Sequence, residues 1–358
     1  MRAAVIWEAG GQFDVREDAS RRAPGSGEVV VRVRAAGLCQ TDLSLSSGAF
    51  GQTMPVILGH EGAGEIVEVG PGISSVSIGD RVLITWVPPC GKCYHCVRHE
   101  TYICSERKRS GDRAGDSNLS VGDKDVQSGL GTATFSEETV LPESAVLPLP
   151  DDIPFEYAAL LGCAVPTGFG AAVNSAQIAP GDSVLVIGCG AVGLSAVQGA
   201  RIAGAAELVA VDPLESRRAA AERLGATHSY SPDADPVEAL TDAPGFDVVI
   251  DAVAHSSTIA TAWAKARRGG RVVVVGAGRP EDMVEFSALE LFHDEKRLIG
   301  SYYGTSDMRR ELPRLIALWR TGRLDLAEMI DEVVDIERIN AVAERQKSGA
   351  GLRTMLSF

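Results

Sequence analysis

The chain has 358 residues, 45% of them hydrophobic and 23% charged, which is an ordinary globular composition at a length that favours two domains. Its 48 acidic and 34 basic residues give a formal net charge of −14, which disfavours nucleic acid as a partner because the field repels phosphates. The N-terminus reaches the acidic Glu8 too early for a signal peptide, and no apolar run is long enough to cross a bilayer. The sequence therefore predicts a cytoplasmic protein without a membrane partner.

Short β-strand patterns dominate the first 150 residues. The predicted strands lie at 3–7, 28–34, 56–58, 64–69, 80–85 and 132–140, with glycine-rich turns between several of them. Many short strands joined by such turns predict a small, partly closed β-barrel. The polar, glycine-rich stretch 108–127 is predicted to be a long surface loop.

Two segments of this β-rich part carry residues that bind metals. Cys39 lies in Gly-Leu-Cys-Gln-Thr-Asp, His60 lies in Gly-His-Glu-Gly, and Cys163 follows far downstream. Two cysteines and one histidine form the open zinc set that leaves a position for water or substrate. Taken alone, each residue also fits a structural role, the histidine as a hydrogen-bonded group and the cysteines as small apolar ones. The metal interpretation therefore depends on the rest of the chain.

A second group of cysteines is compact in sequence, with members at Cys90, Cys93, Cys96 and Cys104. Three cysteines at a spacing of three, closed by a fourth, bring four thiolates to one tetrahedral point, as in a closed structural zinc site. Disulfides and free thiols are the alternatives, and a reducing compartment favours zinc over disulfides. His95 and His99 lie in the same segment and are predicted to be exposed, because four sulfurs fill the coordination shell.

The chain changes character after residue 154, where strands alternate with helices. An apolar strand at 182–187 leads into a Gly-x-Gly-x-x-Gly loop and a helix, and the next strand ends at Asp212, 24 positions after Gly188. Glycines let a backbone approach a pyrophosphate, and an acid at this distance accepts hydrogen bonds from the adenosine ribose. Further strands at 246–251, 270–276 and 297–302 predict a doubly wound parallel sheet. Asp212 favours NAD over NADP, whereas the nearby Arg217 weakens that preference.

Together these motifs resemble those of the zinc-dependent medium-chain alcohol dehydrogenases, and the similarity runs essentially from end to end. The Gly-x-Cys, Gly-His-Glu, four-cysteine, Gly-Cys and glycine-loop motifs and a closing Arg353 follow the family's order and approximate spacing. The resemblance implies an α/β chain with a GroES-like β-barrel catalytic domain at 1–164 and 304–358 and a Rossmann NAD-binding domain at 165–303. It also implies two zinc ions per chain, one catalytic and one structural, the latter in the lobe 90–104.

The resemblance further implies roles for single residues. It identifies Cys39, His60 and Cys163 as the catalytic zinc ligands and Glu61 as an acid that approaches the metal. Asp42 resembles the carboxylate that orients the ligating histidine, and Thr41 resembles the hydroxyl that takes the alcohol proton. Trp86 and Phe50 are expected to line the substrate pocket. The expected cofactor contacts, with Arg353 at the pyrophosphate, are Gln40, Thr167, Gly188, Gly190, Ala191, Val192, Gly193, Asp212, Arg217, Val275 and Arg353.

Three positions depart from the family pattern: Gln40, Ser44 and Trp86, and the bulk of Trp86 is expected to narrow the inner channel. Gln40 stands where many relatives carry a basic residue that touches the pyrophosphate, so cofactor release is expected to be faster. Ser44 stands where some relatives carry the histidine that ends the proton relay, so the proton is expected to leave through water.

The resulting hypothesis is reversible, NAD-linked oxidation of a primary alcohol to the aldehyde, with aromatic or allylic chains favoured by the predicted pocket. One alternative is a dehydrogenase for a formaldehyde–thiol adduct that uses Lys108 to hold a carboxylate, against which the absence of acidic residues at 47–53 counts. Another is a non-catalytic NAD-binding protein on the same fold, against which the complete ligand set argues. By analogy with the family, the chain is expected to form a homodimer.

Overall fold

The structure is a computed structural model that describes residues 1–106, 117–240, 243–279 and 281–358. The chain divides into two compact units. Unit 1 consists of Met1–Cys163, Asp307–Arg309 and Ile330–Phe358, and unit 2 consists of Ala164–Ser306 and Arg310–Met329. Within the described ranges, no helix is long and apolar enough to span a membrane.

The described residues form nineteen strands and nine α-helices. The strands are β1 Ala3–Ile6, β2 Asp14–Arg16, β3 Ala19–Arg21, β4 Glu28–Gly37, β5 Val56–Ile57, β6 Glu61–Val69, β7 Arg81–Ile84, β8 Leu119–Val121, β9 Lys124–Ser128, β10 Glu138–Pro142, β11 Val146–Pro148, β12 Ser183–Ile187, β13 Glu207–Val211, β14 His228–Tyr230, β15 Phe246–Asp251, β16 Ala266–Val274, β17 Arg297–Gly300, β18 Glu332–Asp335 and β19 Thr354–Ser357. The helices are α1 Gln40–Ser46, α2 Phe155–Leu160, α3 Ala164–Gly170, α4 Ala191–Ala203, α5 Glu215–Leu224, α6 Ser256–Lys265, α7 Ala288–His293, α8 Met308–Arg320 and α9 Ile339–Lys347.

The described part of unit 1 is built from two sheets. One has the strand order β2-β1-β5-β9-β8-β3, and the other has the order β11-β7-β6-β4-β19-β18, with β10 also paired to β4. In the long strand β4, Val31 and Val33 are buried while Arg32 and Arg34 are exposed, so one face joins the core and the other carries charge. The fully buried Phe135 lies in the same apolar core. This barrel-like architecture confirms the predicted fold of the first domain.

The C-terminal strand completes the second sheet of unit 1. β19 pairs antiparallel with β4, with Met355 opposite Gly37, and parallel with β18. The predicted return of the chain to the first domain is therefore confirmed. This pairing also places Arg353, just before β19, next to the end of β4.

Two predicted elements of unit 1 are wrong. The expected strand at 132–140 is reduced to β10, because Leu130 and Ala133 are left-handed with φ of 52° and 49°, and the Thr132 amide donates to the Gly129 carbonyl in a turn. In the expected loop at 108–127, the described residues form a hairpin of β8 and β9. Gly122, which has a φ of 56° in the two-residue turn between these strands, is the residue of the sequence that indicates a hairpin here. Lys108 lies outside the described residues.

Unit 2 contains a single described sheet with the order β14-β13-β12-β15-β16-β17, in which every pairing is parallel. This order is that of a dinucleotide-binding doubly wound sheet and confirms the predicted Rossmann architecture. Its apolar core includes Leu185, Val209, Val249 and Val272. The edge strand β14 was not predicted, because it has only three residues and begins with polar ones, which is too short for an alternating hydrophobic pattern to be recognised.

The segment 310–329 packs with unit 2, whereas the predicted boundary at 304 places it with the catalytic domain. Leu312, Leu315 and Ile316 are buried along α8, and the Arg314 guanidinium lies 5.0 Å from the ring centre of Phe169. Such side-chain contacts are tertiary and leave no local signal in the sequence.

Candidate active site and metal centres

Three buried side chains of unit 1 converge on one point. One ligand atom each of Cys39, His60 and Cys163 lies within 4.8 Å of the others. Cys39 is the N-cap of α1, His60 directly precedes β6, and Cys163 follows α2, so three separate elements supply the set. All the cysteines of the chain are free thiols. Two thiols and an imidazole in this arrangement fit a zinc ion with one open coordination position.

Asp42 fixes the two segments that carry Cys39 and His60. Its Oδ1 lies 3.0 Å from His60 Nδ1 and accepts the Gly59 amide at 3.1 Å, while its Oδ2 accepts the Cys39 amide at 2.9 Å. A carboxylate at Nδ1 sets the tautomer of the ring and leaves Nε2 to face a metal. The buried carboxylate thus orients one ligand and anchors the backbone of another.

The charges of Cys39 and His60 stabilise each other, whereas hydrogen bonding with Cys39 and burial raise the pKa of Cys163 well above its usual range. Hydrogen bonding with Cys163, opposed by burial and reinforced by His60, holds the pKa of Cys39 well below its usual range. Burial opposes a charged ring at His60, but Asp42 and Cys39 outweigh it and raise the pKa of His60 well above its usual range. The cluster therefore pairs a Cys39 thiolate with a protonated His60 ring, whose proton a metal ion would displace on binding.

Glu61 and Arg353 form an ion pair beside the ligands. Their side chains are 0% and 3% exposed, and Arg353 Nε lies 3.3 Å from Glu61 Oε2. Arg353 Nη1 also donates to the carbonyl of Leu38. Among the described residues, the converging ligand set comprises Cys39, His60 and Cys163 and does not include Glu61. Arg353 thus faces Glu61 in the interior of unit 1.

The other predicted residues of unit 1 lie at different depths. The Trp86 ring stands edge-on to His60, with ring centres 5.9 Å apart. Thr41 is half-buried in the first turn of α1, and Gln40 beside it is exposed. Phe50 is 47% exposed on a turn where its φ is 66°, and no described contact joins it to the ligand cluster.

The second cysteine group has the geometry of a tetrahedral metal site. Its four sulfurs lie within 4.8 Å of one another, with Cys90 Sγ to Cys96 Sγ at 3.9 Å and Cys93 Sγ to Cys104 Sγ at 3.8 Å. Zinc–sulfur bonds of about 2.3 Å at tetrahedral angles imply sulfur separations of about 3.8 Å, whereas a disulfide requires about 2.05 Å. The lobe therefore fits a structural zinc ion.

The histidines of the lobe stand outside this set. His99 is exposed, as predicted. The prediction for His95 is wrong: its side chain is half-buried, and its Nδ1 lies 2.9 Å from Glu100 Oε2. This ion pair braces the lobe without contributing a ligand.

The glycine loop of unit 2 connects β12 to α4. Asp212 accepts the Cys189 amide at 2.8 Å and the Leu214 amide at 2.9 Å, so the acid holds the loop in place. The Arg218 guanidinium donates to the Asp212 carbonyl at 2.8 Å. Gly188 has a φ of 89°, which favours glycine. These features fit the pyrophosphate and ribose of a dinucleotide.

The remaining predicted cofactor contacts also lie in unit 2. Thr167 is buried in α3, and its hydroxyl has no partner among the described residues, which fits a hydrogen bond to a ligand. Val275 is buried just after β16, and Arg217 is half-buried in α5. Cys189 is buried, and burial raises the pKa of Cys189 to about 12, so this thiol packs in the loop and stays neutral.

Known proteins share both domains of this chain. Residues 25–151 match the family described as alcohol dehydrogenase GroES-like domain, and residues 191–319 match the family described as zinc-binding dehydrogenase. A putative alcohol dehydrogenase D of Mycobacterium tuberculosis is 33% identical over 99% of this chain and 98% of its own. The chain belongs to the zinc-dependent medium-chain alcohol dehydrogenases.

Two further relatives agree with this family. An NDMA-dependent alcohol dehydrogenase of Amycolatopsis methanolica is 31% identical over 99% of this chain and 98% of its own. The crystal structure of benzyl alcohol dehydrogenase from Acinetobacter calcoaceticus superposes with a TM-score of 0.93, at 29% identity over 100% of this chain and 99% of that one. Full-length similarity to such enzymes supports an oxidoreductase over the non-catalytic alternative.

Sequence reasoning missed two residues that support the sites of this alcohol dehydrogenase. Arg218 holds the backbone at Asp212, and its only sequence signal is a second basic residue after Arg217. At Gly37 a Cβ would lie 2.0 Å from Glu61 Oε2, so a side chain there would collide with the buried carboxylate. The pairing of Gly37 with Glu61 across β4 and β6 creates this requirement, and no local motif reveals it.

Two glycine substitutions should separate loop packing from cofactor approach in this alcohol dehydrogenase. A Cβ at Gly193 would lie 1.7 Å from the Gly188 carbonyl oxygen, whereas a Cβ at Gly190 has nothing within 4 Å. We therefore expect Gly193→Ala to lower both Tm and NADH affinity, the latter by about tenfold or more, and Gly190→Ala to lower NADH affinity alone. Calorimetry and NADH fluorescence titration measure the two effects. Normal NADH binding by Gly190→Ala would show that the pyrophosphate does not approach this loop.

Proposed function

We propose that this alcohol dehydrogenase oxidises primary alcohols to aldehydes, reversibly and with NAD, and that it favours aromatic or allylic alcohols. The buried cluster of Cys39, His60 and Cys163 carries the proposal, because these side chains would hold a zinc ion with a free position for substrate. Bound zinc supplies a Lewis acid at the alcohol oxygen, and bound NAD accepts the hydride.

The protein's own side chains hold the metal ligands in place and take up the proton of the alcohol. Asp42 keeps the His60 ring in the orientation that presents Nε2, and it keeps the Cys39 backbone in place. Thr41, in the first turn of α1, accepts the alcohol proton at its hydroxyl oxygen while its own hydroxyl hydrogen passes to water. Water takes this proton because Ser44, one turn later, offers no basic group. The Trp86 ring beside His60 narrows the space for substrate, which favours a flat or slender chain.

An alcohol screen tests this function. Zinc-replete protein is incubated with NAD or NADP and with short aliphatic, long aliphatic, benzylic and secondary alcohols, and reduced cofactor is followed by absorbance. We expect the highest kcat/KM with NAD and benzylic or allylic primary alcohols. A preference for secondary alcohols would contradict the proposed substrate class. Turnover of formaldehyde only in the presence of a thiol would support the adduct alternative instead.

The NDMA dependence of one relative favours a second form of the same reaction. In this form the reduced cofactor stays on the protein and added NDMA takes its hydride. The screen is therefore repeated with NDMA in place of free NAD, following bleaching of the dye. Turnover with NDMA but not with NAD would assign a retained cofactor.

Asp212 underlies the proposed preference for NAD. Its buried carboxylate disfavours a 2′-phosphate, whereas the positive charge of Arg217 weakens this preference. We expect Asp212→Ser to lower the ratio of kcat/KM for NAD to that for NADP by about tenfold or more, since the repulsion and the ribose acceptor are both lost. Steady-state kinetics with both cofactors measure the ratio. Equal use of NAD and NADP by the unsubstituted protein would contradict the preference.

We also propose that two copies join through the edge of the unit 2 sheet. β17 is the last strand of that sheet, with Leu298 46% exposed, and the neighbouring α7 exposes Phe292 at 81%. An open edge flanked by exposed apolar residues is typical of an interface between copies. Sedimentation velocity is expected to show a dimer that Phe292→Glu converts to monomer, while Ile78→Lys, at an exposed apolar residue of unit 1, leaves it intact. A monomeric unsubstituted protein would contradict the proposal.

A further inference from the structure

Arg353 lies at the junction of the two segments that supply Cys39 and His60. It directly precedes β19, whose pairing with β4 brings it beside Leu38. One guanidinium nitrogen, Nη1, donates to the carbonyl of Leu38, the neighbour of Cys39. Another, Nε, lies 3.3 Å from the carboxylate of Glu61, the neighbour of His60. A single side chain thus connects the backbone next to one ligand with the side chain next to another.

The Glu61 carboxylate is confined on its other side by β4. Gly37 stands opposite Glu61 in the β4–β6 pairing, and a Cβ at Gly37 would lie 2.0 Å from Oε2 and 2.9 Å from Cδ. The carboxylate therefore occupies space that only a glycine leaves free. With β4 behind it and Arg353 in front, Glu61 has little freedom to move.

The opposite charges of Glu61 and Arg353 explain why the protein needs both side chains of this buried pair. Glu61 and Arg353 are almost completely buried, and a buried charge that loses its partner destabilises a protein strongly. Burial opposes the charge of Arg353, but the nearby Glu61 carboxylate outweighs it and raises the pKa of Arg353 above its usual range. The guanidinium is therefore permanently charged, and the Glu61 carboxylate is the buried counter-charge beside it.

We propose that Arg353 is a positioning residue of the catalytic metal centre, which holds the Cys39 and His60 segments in register so that the three-ligand set is preformed. This inference rests on the proposed zinc site of Cys39, His60 and Cys163. This role is separate from the pyrophosphate contact that the family resemblance implies, because it acts through Leu38 and Glu61 within unit 1.

The two roles affect different measurements in Arg353→Met. Loss of a residue that orients metal ligands typically lowers metal affinity by about 10–100-fold. A positioning residue should therefore weaken zinc binding at the catalytic site and leave NADH affinity within about threefold. A pyrophosphate contact should weaken NADH binding and leave zinc affinity unchanged.

Arg34→Met provides a matched control. Arg34 pairs with Glu65 across the same two strands, at 2.6 Å, but both side chains lie at the surface. Its loss removes an arginine–glutamate pair from the same sheet without touching the ligand segments, so zinc affinity should not change. Arg353→Lys keeps the charge, but its single ammonium group cannot bond Leu38 and Glu61 in the fixed planar geometry of a guanidinium. We therefore expect an intermediate loss of zinc affinity.

The experiment measures zinc retained per chain against a competing chelator, NADH affinity by fluorescence titration, and the visible spectrum of cobalt substituted at the catalytic site. We expect Arg353→Met to release one of its two zinc ions at a chelator concentration about 10–100-fold lower than the unsubstituted protein requires, and to retain the second. We also expect the cobalt spectrum to change. Unchanged or increased zinc retention would overturn the proposal, whatever happens to NADH affinity. If Arg353→Met does not fold, Arg353→Lys is judged by the same criteria.

Failure of the proposed function gives a different result. An unsubstituted protein that holds two zinc ions but oxidises no alcohol would refute the proposed function. The zinc retention of Arg353→Met could still be compared with that of the unsubstituted protein, so the role of Arg353 would still be tested. An unsubstituted protein that holds a single zinc, in the four-cysteine lobe, would overturn both.

Discussion

Replacing Cys163 by serine is expected to remove one of the two zinc ions and to lower alcohol oxidation by about a thousandfold or more. Serine fits the same space, but its hydroxyl is a poor zinc ligand at neutral pH compared with a thiolate. The remaining Cys39 and His60 cannot hold the metal as tightly, and a metal that stabilises developing charge by several kcal/mol accounts for a loss of this size.

Metal analysis and kcat/KM measure the effect of Cys163→Ser, and NADH titration shows whether the loss is confined to the metal centre. We expect NADH affinity to be retained, because the glycine loop and Asp212 belong to unit 2. Cys189→Ser is the control for zinc content, since it changes another buried cysteine that lies outside both ligand groups. Two zinc ions per chain in Cys163→Ser would show that the catalytic ligand set is assigned incorrectly.

Cys96→Ser is expected to remove the other zinc ion and to lower Tm by about 10 °C or more. The lobe has little apolar burial of its own: Tyr94 and Val97 are exposed, and its only described helical turns are Cys96–Arg98 and Thr101–Ile103. Its fold therefore depends on the metal, as in other small zinc-stabilised segments.

Hydrogen exchange and calorimetry test the role of Cys96. Amides at 90–104 should lose protection in Cys96→Ser, while those of the unit 2 sheet keep it. His95→Asn is the matched control, because it removes only the half-exposed pair with Glu100 and should change stability by less than about 1 kcal/mol. Zinc loss from His95→Asn, with zinc retained by Cys96→Ser, would show that the histidine is the ligand.

The features that the sequence predicted well are local. The four-cysteine lobe and the glycine loop followed by an acid each lie within a short segment, so residue spacing alone indicates their geometry. Alternating strands and helices likewise indicated the Rossmann sheet. The convergence of Cys39, His60 and Cys163 is not local, and it was expected only because the family resemblance implied it.

The features that the sequence missed depend on tertiary pairing. The position of Arg353 follows from the register of β19 against β4, and the need for glycine at Gly37 follows from the register of β4 against β6. The packing of 310–329 with unit 2 follows from buried contacts of α8. Such pairings join residues far apart in sequence, and no periodicity within either segment encodes them.

Transfer of hydride from substrate to cofactor is the central claim, and deuterium labelling tests it in a single turnover whether or not the cofactor exchanges. Zinc-replete protein carrying NAD is mixed with a primary alcohol deuterated at the carbinol carbon, and the extracted cofactor is analysed by mass spectrometry. We predict reduced nicotinamide that carries deuterium, and none from Cys163→Ser. Cofactor free of deuterium with aliphatic, allylic and benzylic alcohols alike, in protein that holds both zinc ions, would contradict the account.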